Sequence, residues 1–484
     1  MQVDLVIVGA GFGGSLMAMI GRRLGLSVVL LEQGRHPRMA IGESTTPLSN
    51  LVLERLCARY DLPRIAPLTK WGSWQNTYPK IGCGLKRGFT FFHRDGELLV
   101  AASPHDTVAD THWFRADVDH FLVLEAQQLG ADYRDCVRIE SLEIREHSAG
   151  IAGRAGEGPF NFQTRLLIDA TGPRGFLHRA LQLEESPLPG LPATESLYSH
   201  FTGVLRTETS SAGVPYPVDD AAVHHVFDGG WVWVLRFNNG ITSAGVAATR
   251  ALAAELALSE GEAAWQRLLA RVPALKAQFK YAIACQPFRY VPSVSFRSRM
   301  IAGDCWAMLP SAAGFVDPLL SSGFALNLLG IERLAEFVGG AGDVQSYKEQ
   351  TEADLFAVSR LIGALYATMG NFPAFTAVSL LYFAAVSFSE TAFRLGRPEL
   401  APGFLLPGAD SLLERARTLR DADETRAFTD DVLRVIEPFN LGRFGDPNLS
   451  NRYPVRAKDL LEARAKLGAT REEIVAMLEK TGFS

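Results

Sequence analysis

Hydrophobic and polar positions along the chain follow three different rhythms. In DLVIVGAGFGGSLMAMIGRRLGLSVVLLEQ, from Asp4, an apolar run breaks at glycines, resumes with helical spacing and ends in a second apolar run. This predicts strand, turn, helix and strand, with Glu32 closing the second strand. RLLIDATGPRG (165–175) predicts another buried strand, and RMIAGDCWAMLPSAAGFVDPLLSSGFALNLLGIERLAEF (299–337) predicts a strand, a glycine-containing loop and a helix. Between 176 and 294 several runs alternate like strands. One of them, GGWVWVLRFNNG (229–240), sends Trp231 and Trp233 to one face and Val232 and Val234 to the other. Arg236 is expected on the tryptophan side, where burial requires a partner. From about 341 the pattern is helical and rich in aromatics, with a proline-marked break at RPELAPGFLLPGAD.

These elements define an α/β protein with three expected regions. A discontinuous nucleotide-binding domain takes 1–175 and 295–340, a β-sheet substrate region 176–294, and a helical C-terminal region 341–484 covers the substrate site. At 484 residues the chain is too long for one compact core. A net charge of −5 without any basic tract gives no nucleic-acid surface. Five dispersed cysteines without a C-x-x-C pair argue against both a disulfide framework and structural zinc. His93, His112, His224 and His225 fit no metal-ligand spacing. The apolar run FTAVSLLYFAAVSF (375–388) is shorter than the roughly 20 residues of a membrane span and reads as a buried helix. With no leader pattern at the N-terminus, a cytoplasmic protein is expected.

The first stretch carries chemistry. Gly9-x-Gly11-x-x-Gly14 stands between strand and helix at dinucleotide-binding spacing. Gly9 makes the turn, Gly11 lets the backbone approach a pyrophosphate, and Gly14 lets the helix pack closely. The helix N-terminus offers free N–H groups to phosphate, and Glu32 can accept from ribose hydroxyls. No second fingerprint is visible, so no dedicated NAD(P)H site is expected.

The segments 165–175 and 299–337 resemble FAD-dependent oxygenases of the aromatic-hydroxylase type. That resemblance implies FAD in a Rossmann-type domain, with the Gly303-Asp304 carboxylate at the ribityl chain and the following loop, including Gly314, near the isoalloxazine. With HPRMAIGEST, GLKRGFTFF, WFRADVD, GWVWVLRFNN and GFVDPLLSSG, most of the chain resembles the flavin-dependent halogenases, nearest the aminophenyl-pyrrole chlorinase branch of antibiotic biosynthesis. The resemblance implies that reduced FAD and oxygen form a flavin hydroperoxide. Chloride or bromide attacks it, and hypohalous acid passes through a tunnel to a lysine.

It assigns that lysine to Lys86, with Lys70 in LTKWGSW as the competing position. An ammonium in an apolar strand can hydrogen-bond and polarise an electrophilic halogen donor. The halide falls to the backbone N–H groups of Ser322 and Gly323, and Arg115 and Ser44 fall to FAD. Trp231, Trp233, Arg236 and Glu43 fall to the tunnel or substrate.

Two departures from the family pattern bear on substrate. Tryptophan halogenases carry glutamate before the serine of the halide loop, where this chain has Leu320, which argues against free tryptophan. The family's Trp-x-Trp-x-Ile-Pro strand here ends in Leu235-Arg236. The expectation is a two-component halogenase for an electron-rich phenol or pyrrole, free or carrier-tethered, served by a separate NAD(P)H flavin reductase. An FAD monooxygenase with Arg236 touching substrate is the rival.

Overall fold

The computed structural model describes residues 1–156, 158–207 and 213–483. Its first sheet is built on parallel neighbours. Gln2–Val8 lies between Gly158–Asp169 and Val28–Leu31, Trp306–Met308 flanks the former, and Asp132–Arg134 flanks the latter. The central strands are buried on both faces, as parallel strands covered by helices require. The helix Phe12–Arg23 follows the first strand at once, and Ser322–Val338 packs against it.

A second sheet runs Thr194–Thr202, Thr242–Thr249, Gly230–Arg236, Ala222–Phe227, Gly88–His93, Gly96–Ala101 and Arg452–Tyr453. The expected division by sequence is thus crossed twice. Strands 88–101 leave the nucleotide-binding part to join this sheet, and Arg452–Tyr453 of the C-terminal region pairs with Leu99 and Val100. A separate two-stranded ribbon pairs Cys83–Lys86 with Asp110–Trp113.

Beyond residue 341 the chain is mainly helical. Val344–Thr368 and Phe372–Arg394 pack on each other and on Ala422–Ile436. Phe372–Arg394 is long and apolar enough to cross a membrane, but its residues are mostly buried within the protein. It extends the expected run at both ends, because Asn371 caps it and Pro373 occupies its first turn.

Candidate functional site

The glycine turn forms as its residues dictate. Gly9 has φ +101°, and a Cβ there would lie 2.6 Å from the Ala170 backbone; at Gly14 it would lie 1.9 Å from the Gly9 carbonyl oxygen. Gly11 precedes the helix Phe12–Arg23, whose N-terminus has no side-chain cap. That first turn therefore presents backbone donors toward a phosphate-sized anion. Glu32 accepts from the N–H groups of Ala10 (3.0 Å) and Gly34 (2.9 Å) and pairs with Arg38 at 2.9 Å. Burial works against its charge, but Arg38 and the two N–H groups bring it below the ordinary glutamate value. Arg38 was missed in sequence although it stands in HPRMAIGEST.

Arg115 clamps the next layer. It grips Asp119 with two nitrogens (2.7 and 2.8 Å) and donates to the carbonyls of Ile41 and Gly42, both at 2.9 Å. The following residues run from this edge to Lys86. Glu43 meets His200 at 2.7 Å, and both are buried. Ser44 forms a bridge with His112, and its buried hydroxyl has no partner. The uncapped helix and the close glycine cradle fit the pyrophosphate of a dinucleotide.

Asp304 does not belong to this group. It is exposed in the turn between Ala302–Gly303 and Trp306–Met308, which pair antiparallel. Register aligns Met308, Asp169 and Val8 at the glycine-turn edge. Asp304 lies four residues back from Met308, about 13 Å at the strand rise. The strand reaching the edge starts after Asp304, so the carboxylate faces the wrong end. Ser311 occupies the edge instead, its N–H held by Asn327 at 3.0 Å. Gly314 is buried beside Leu355, whose Cδ1 lies 2.9 Å from where a Cβ would sit.

Lys86 is fully buried. Its Nζ donates to the Thr45 carbonyl and lies 4.0 Å over the Phe89 ring. Burial pushes the ammonium well below its ordinary value, against the attraction of Asp110, its register partner. Phe89 also lines a cavity of about 120 Å³, with Leu48, Tyr382, Phe383, Phe444 and Met477. Lys86 thus stands behind one ring of the cavity wall. Lys70, the competing position, donates instead to the carbonyl of Thr481 at 3.0 Å.

Beyond Phe89 the aromatic rings continue away from the cavity. His224 lies 6.0 Å from Phe89 and 5.1 Å from Trp231, and Trp233 is 5.7 Å from Trp231. Burial holds His112 and His224 at about 3, so both are neutral. His93 stacks on Phe372 at 5.1 Å and His225 tilts against Phe92 at 5.3 Å. Trp233 lies over Gly245, where a Cβ would come within 2.4 Å of its ring.

Trp231 donates to Tyr366, and Tyr366 to Asp317, in the loop before Ser322. Leu320 and Ser321 are both left-handed there (φ +66° and +54°), an arrangement non-glycine residues hold only under restraint. Tyr382 supplies part of that restraint by donating to the Leu320 carbonyl at 3.1 Å. The turn leads into Ser322–Val338, whose N-terminus lacks a side-chain cap, and beside Gly323 there is open space. Successive N–H groups in such a turn make an anion-sized concavity.

Arg236 departs from expectation. Leu235 shares the core of Trp231 and Trp233, whereas Val232 and Val234 face the other core. Strand period 2 puts Arg236 with the valines. Its guanidinium donates to the carbonyls of Val204 (3.0 Å) and Leu205 and pairs with Asp219 at 3.3 Å.

Residues 107–371 match the family model described as tryptophan halogenase. Tetracycline 7-halogenase of Kitasatospora aureofaciens is 32% identical over 346 residues, 66% of this chain and 60% of that protein. Monodechloroaminopyrrolnitrin halogenase of Pseudomonas fluorescens is 28% identical over 350 residues, 69% of this chain and 60% of that protein. This chain therefore spans about 60% of the length of these curated relatives. The fold is shared with the crystal structure of halogenase PltM in complex with phloroglucinol and FAD: TM-score 0.70, 22% identity, 99% of this chain and 96% of that one. With more than half of its residues inside the family match, this chain belongs to the tryptophan halogenase family.

Proposed function

We propose that this chain is an FADH2-dependent halogenase for an electron-rich aromatic or heteroaromatic ring, phenol- or pyrrole-type, and that Lys86 acts on the halogen donor. The observation that carries this reading is Lys86 itself, a buried lysine bound to one carbonyl and set against Phe89, a ring of the apolar cavity's wall. The names of relatives acting on tetracycline and monodechloroaminopyrrolnitrin support the substrate class, as does a structural neighbour crystallised with phloroglucinol.

The glycine turn, Arg38, Arg115 and Ser44 are the residues that would hold FAD. Reduced FAD with oxygen supplies the oxidising equivalents that turn halide into hypohalous acid. The backbone at Ser322 and Gly323 would hold the halide. Trp231, Trp233 and His224 keep the ring in the cavity apart from that loop. The Lys86 ammonium donates to the hypohalous oxygen. As the O–X bond breaks and the C–X bond forms, that oxygen takes the lysine's proton and leaves as water. The ring carbon then releases its own proton, which balances the one given up.

The single dinucleotide fingerprint in the sequence supports a separate flavin reductase as the electron source. The rival monooxygenase required Arg236 at the substrate, and the guanidinium points to the opposite face of its strand. The test supplies reduced FAD, oxygen, bromide and a panel of phenols and pyrroles, and reads products by mass. Brominated product that disappears in Lys86→Ala, with flavin reoxidation preserved, is expected. Oxygenated product that survives the substitution would overturn the reading.

A further inference from the structure

We propose that Asp110 is a positioning residue for Lys86, the carboxylate that keeps this lysine charged inside the apolar wall. The inference rests on the halogenase reading and adds a second group to its machinery. Lys86 and Asp110 are directly opposite in the ribbon of Cys83–Lys86 and Asp110–Trp113. Opposed residues of an antiparallel pair project to the same face. Both are buried, at 0% and 5% exposure.

Asp110 is also linked to Lys86 through a chain of two residues. Asn50 Nδ2 donates to its Oδ1 at 2.7 Å and approaches Thr45 Oγ1 at 3.3 Å. The carbonyl of the same Thr45 receives Lys86 Nζ. The second carboxylate oxygen, Oδ2, is buried without a hydrogen-bond partner. Asn50 and Thr45 thus tie the two charged side chains into one unit.

Asp110 is the carboxylate whose charge favours the Lys86 ammonium. Lys86 is also faced by His112 and His224, which burial keeps neutral. Burial works against the Asp110 charge, and Lys86 favours it. Lys70 also faces it, and from Phe372–Arg394 it feels Glu390 and Arg394, with Tyr382 of that helix nearby. Glu390 and Arg394 pair with each other, so their effects on Asp110 oppose. A buried lysine without a counter-ion loses its proton. After each turnover the amine must be recharged, and the carboxylate maintains its affinity for that proton.

The test compares wild type with Asp110→Asn and Asp110→Glu from pH 6 to 9, following halogenated product and flavin reoxidation separately. In Asp110→Asn the alkaline limb of halogenation should move to lower pH. At pH 8 the rate should fall about tenfold, the effect of a one-unit shift. The loss should shrink at pH 6, reoxidation should stay unchanged, and Asp110→Glu should restore the limb. Equal loss at every pH, or an unmoved limb, would overturn the inference while leaving the halogenase reading intact. Absence of halogenated product from wild type would instead remove that reading. Should Asp110→Asn fail to fold, the wild-type protein still decides. The Lys86 13Cε and Asp110 13Cγ signals should titrate together, each showing the other's midpoint. Independent single-step curves would refute the pairing.

Discussion

Trp231 donates its indole N–H to the hydroxyl of Tyr366 across 3.2 Å, and so ties the aromatic wall to the turn before Ser322. The same hydroxyl donates to Asp317 at 2.9 Å. Three side chains from a sheet, a helix and a loop thereby fix one another.

The pH dependence of stability follows from this network. Burial raises Asp317 to about 7, against the N–H of Leu319 and the Tyr366 hydroxyl, which favour the charged form. Between roughly pH 4 and 7 the folded protein therefore holds a proton that the unfolded chain has released. Stability from this group is present at low pH and lost as pH rises to 7. Asp317→Asn should remove that slope, so the wild type should lose about 2–4 kcal/mol relative to the variant over the window. Urea unfolding at pH 4.5 and 7.5 measures it, and a constant gap would contradict the assignment.

Gly11→Val should abolish FAD retention without unfolding the protein. A Cβ there lies 3.3 Å from Arg115 Nη2 and 3.7 Å from Asp119, and a branched side chain would fill the approach to the turn. Flavin remaining after gel filtration, read by absorbance, is the measurement; stoichiometric retention would refute the placement.

Gly245→Ala should cost about 1–3 kcal/mol through overpacking alone. The added carbon meets the Trp233 ring and Tyr198 Cβ, each at 2.4 Å. Chemical denaturation should report the loss, and Trp233→Phe in the same chain should recover part of it. Full stability in the single variant would mean that the indole moves freely.

Arg236→Ala should lower stability by about 1–3 kcal/mol, because Asp219 loses a charged partner. The product spectrum should stay the same. A changed product with unchanged stability would bring the monooxygenase reading back.

Local signals in the sequence carried much of this picture. The glycine turn and the strand and helix around it are legible because they depend on neighbours within a few residues. Lys86 instead rests on a resemblance, and its partners Thr45 and Asp110 lie far off in sequence. Asp304 misled for a physical reason. A strand ending in Gly-Asp looks alike whether it turns back as a hairpin or delivers its end to a binding edge, and only the pairing with Trp306 separates the two. Arg236 was misplaced by one step of strand alternation. Asp110, Asn50, His200 and Asp317 carry no local mark, since their partners lie far away in sequence.

The cavity's outer wall has a consequence of its own. Leu441, Phe444, Tyr453, Arg456, Met477 and Phe483 line it, and Lys70 and His105 moor its last helix through the carbonyls of Thr481 and Gly482. This wall and Lys86 both lie outside the stretch matched by the family model, 107–371. The outer wall of the chamber and the lysine behind its inner ring come from opposite ends of the chain. Exchanging residues 441–483 re-cuts the outer wall and leaves Lys86, Phe89 and the helix Phe372–Arg394 in place, which makes the stretch after that helix the natural seam for chimeras.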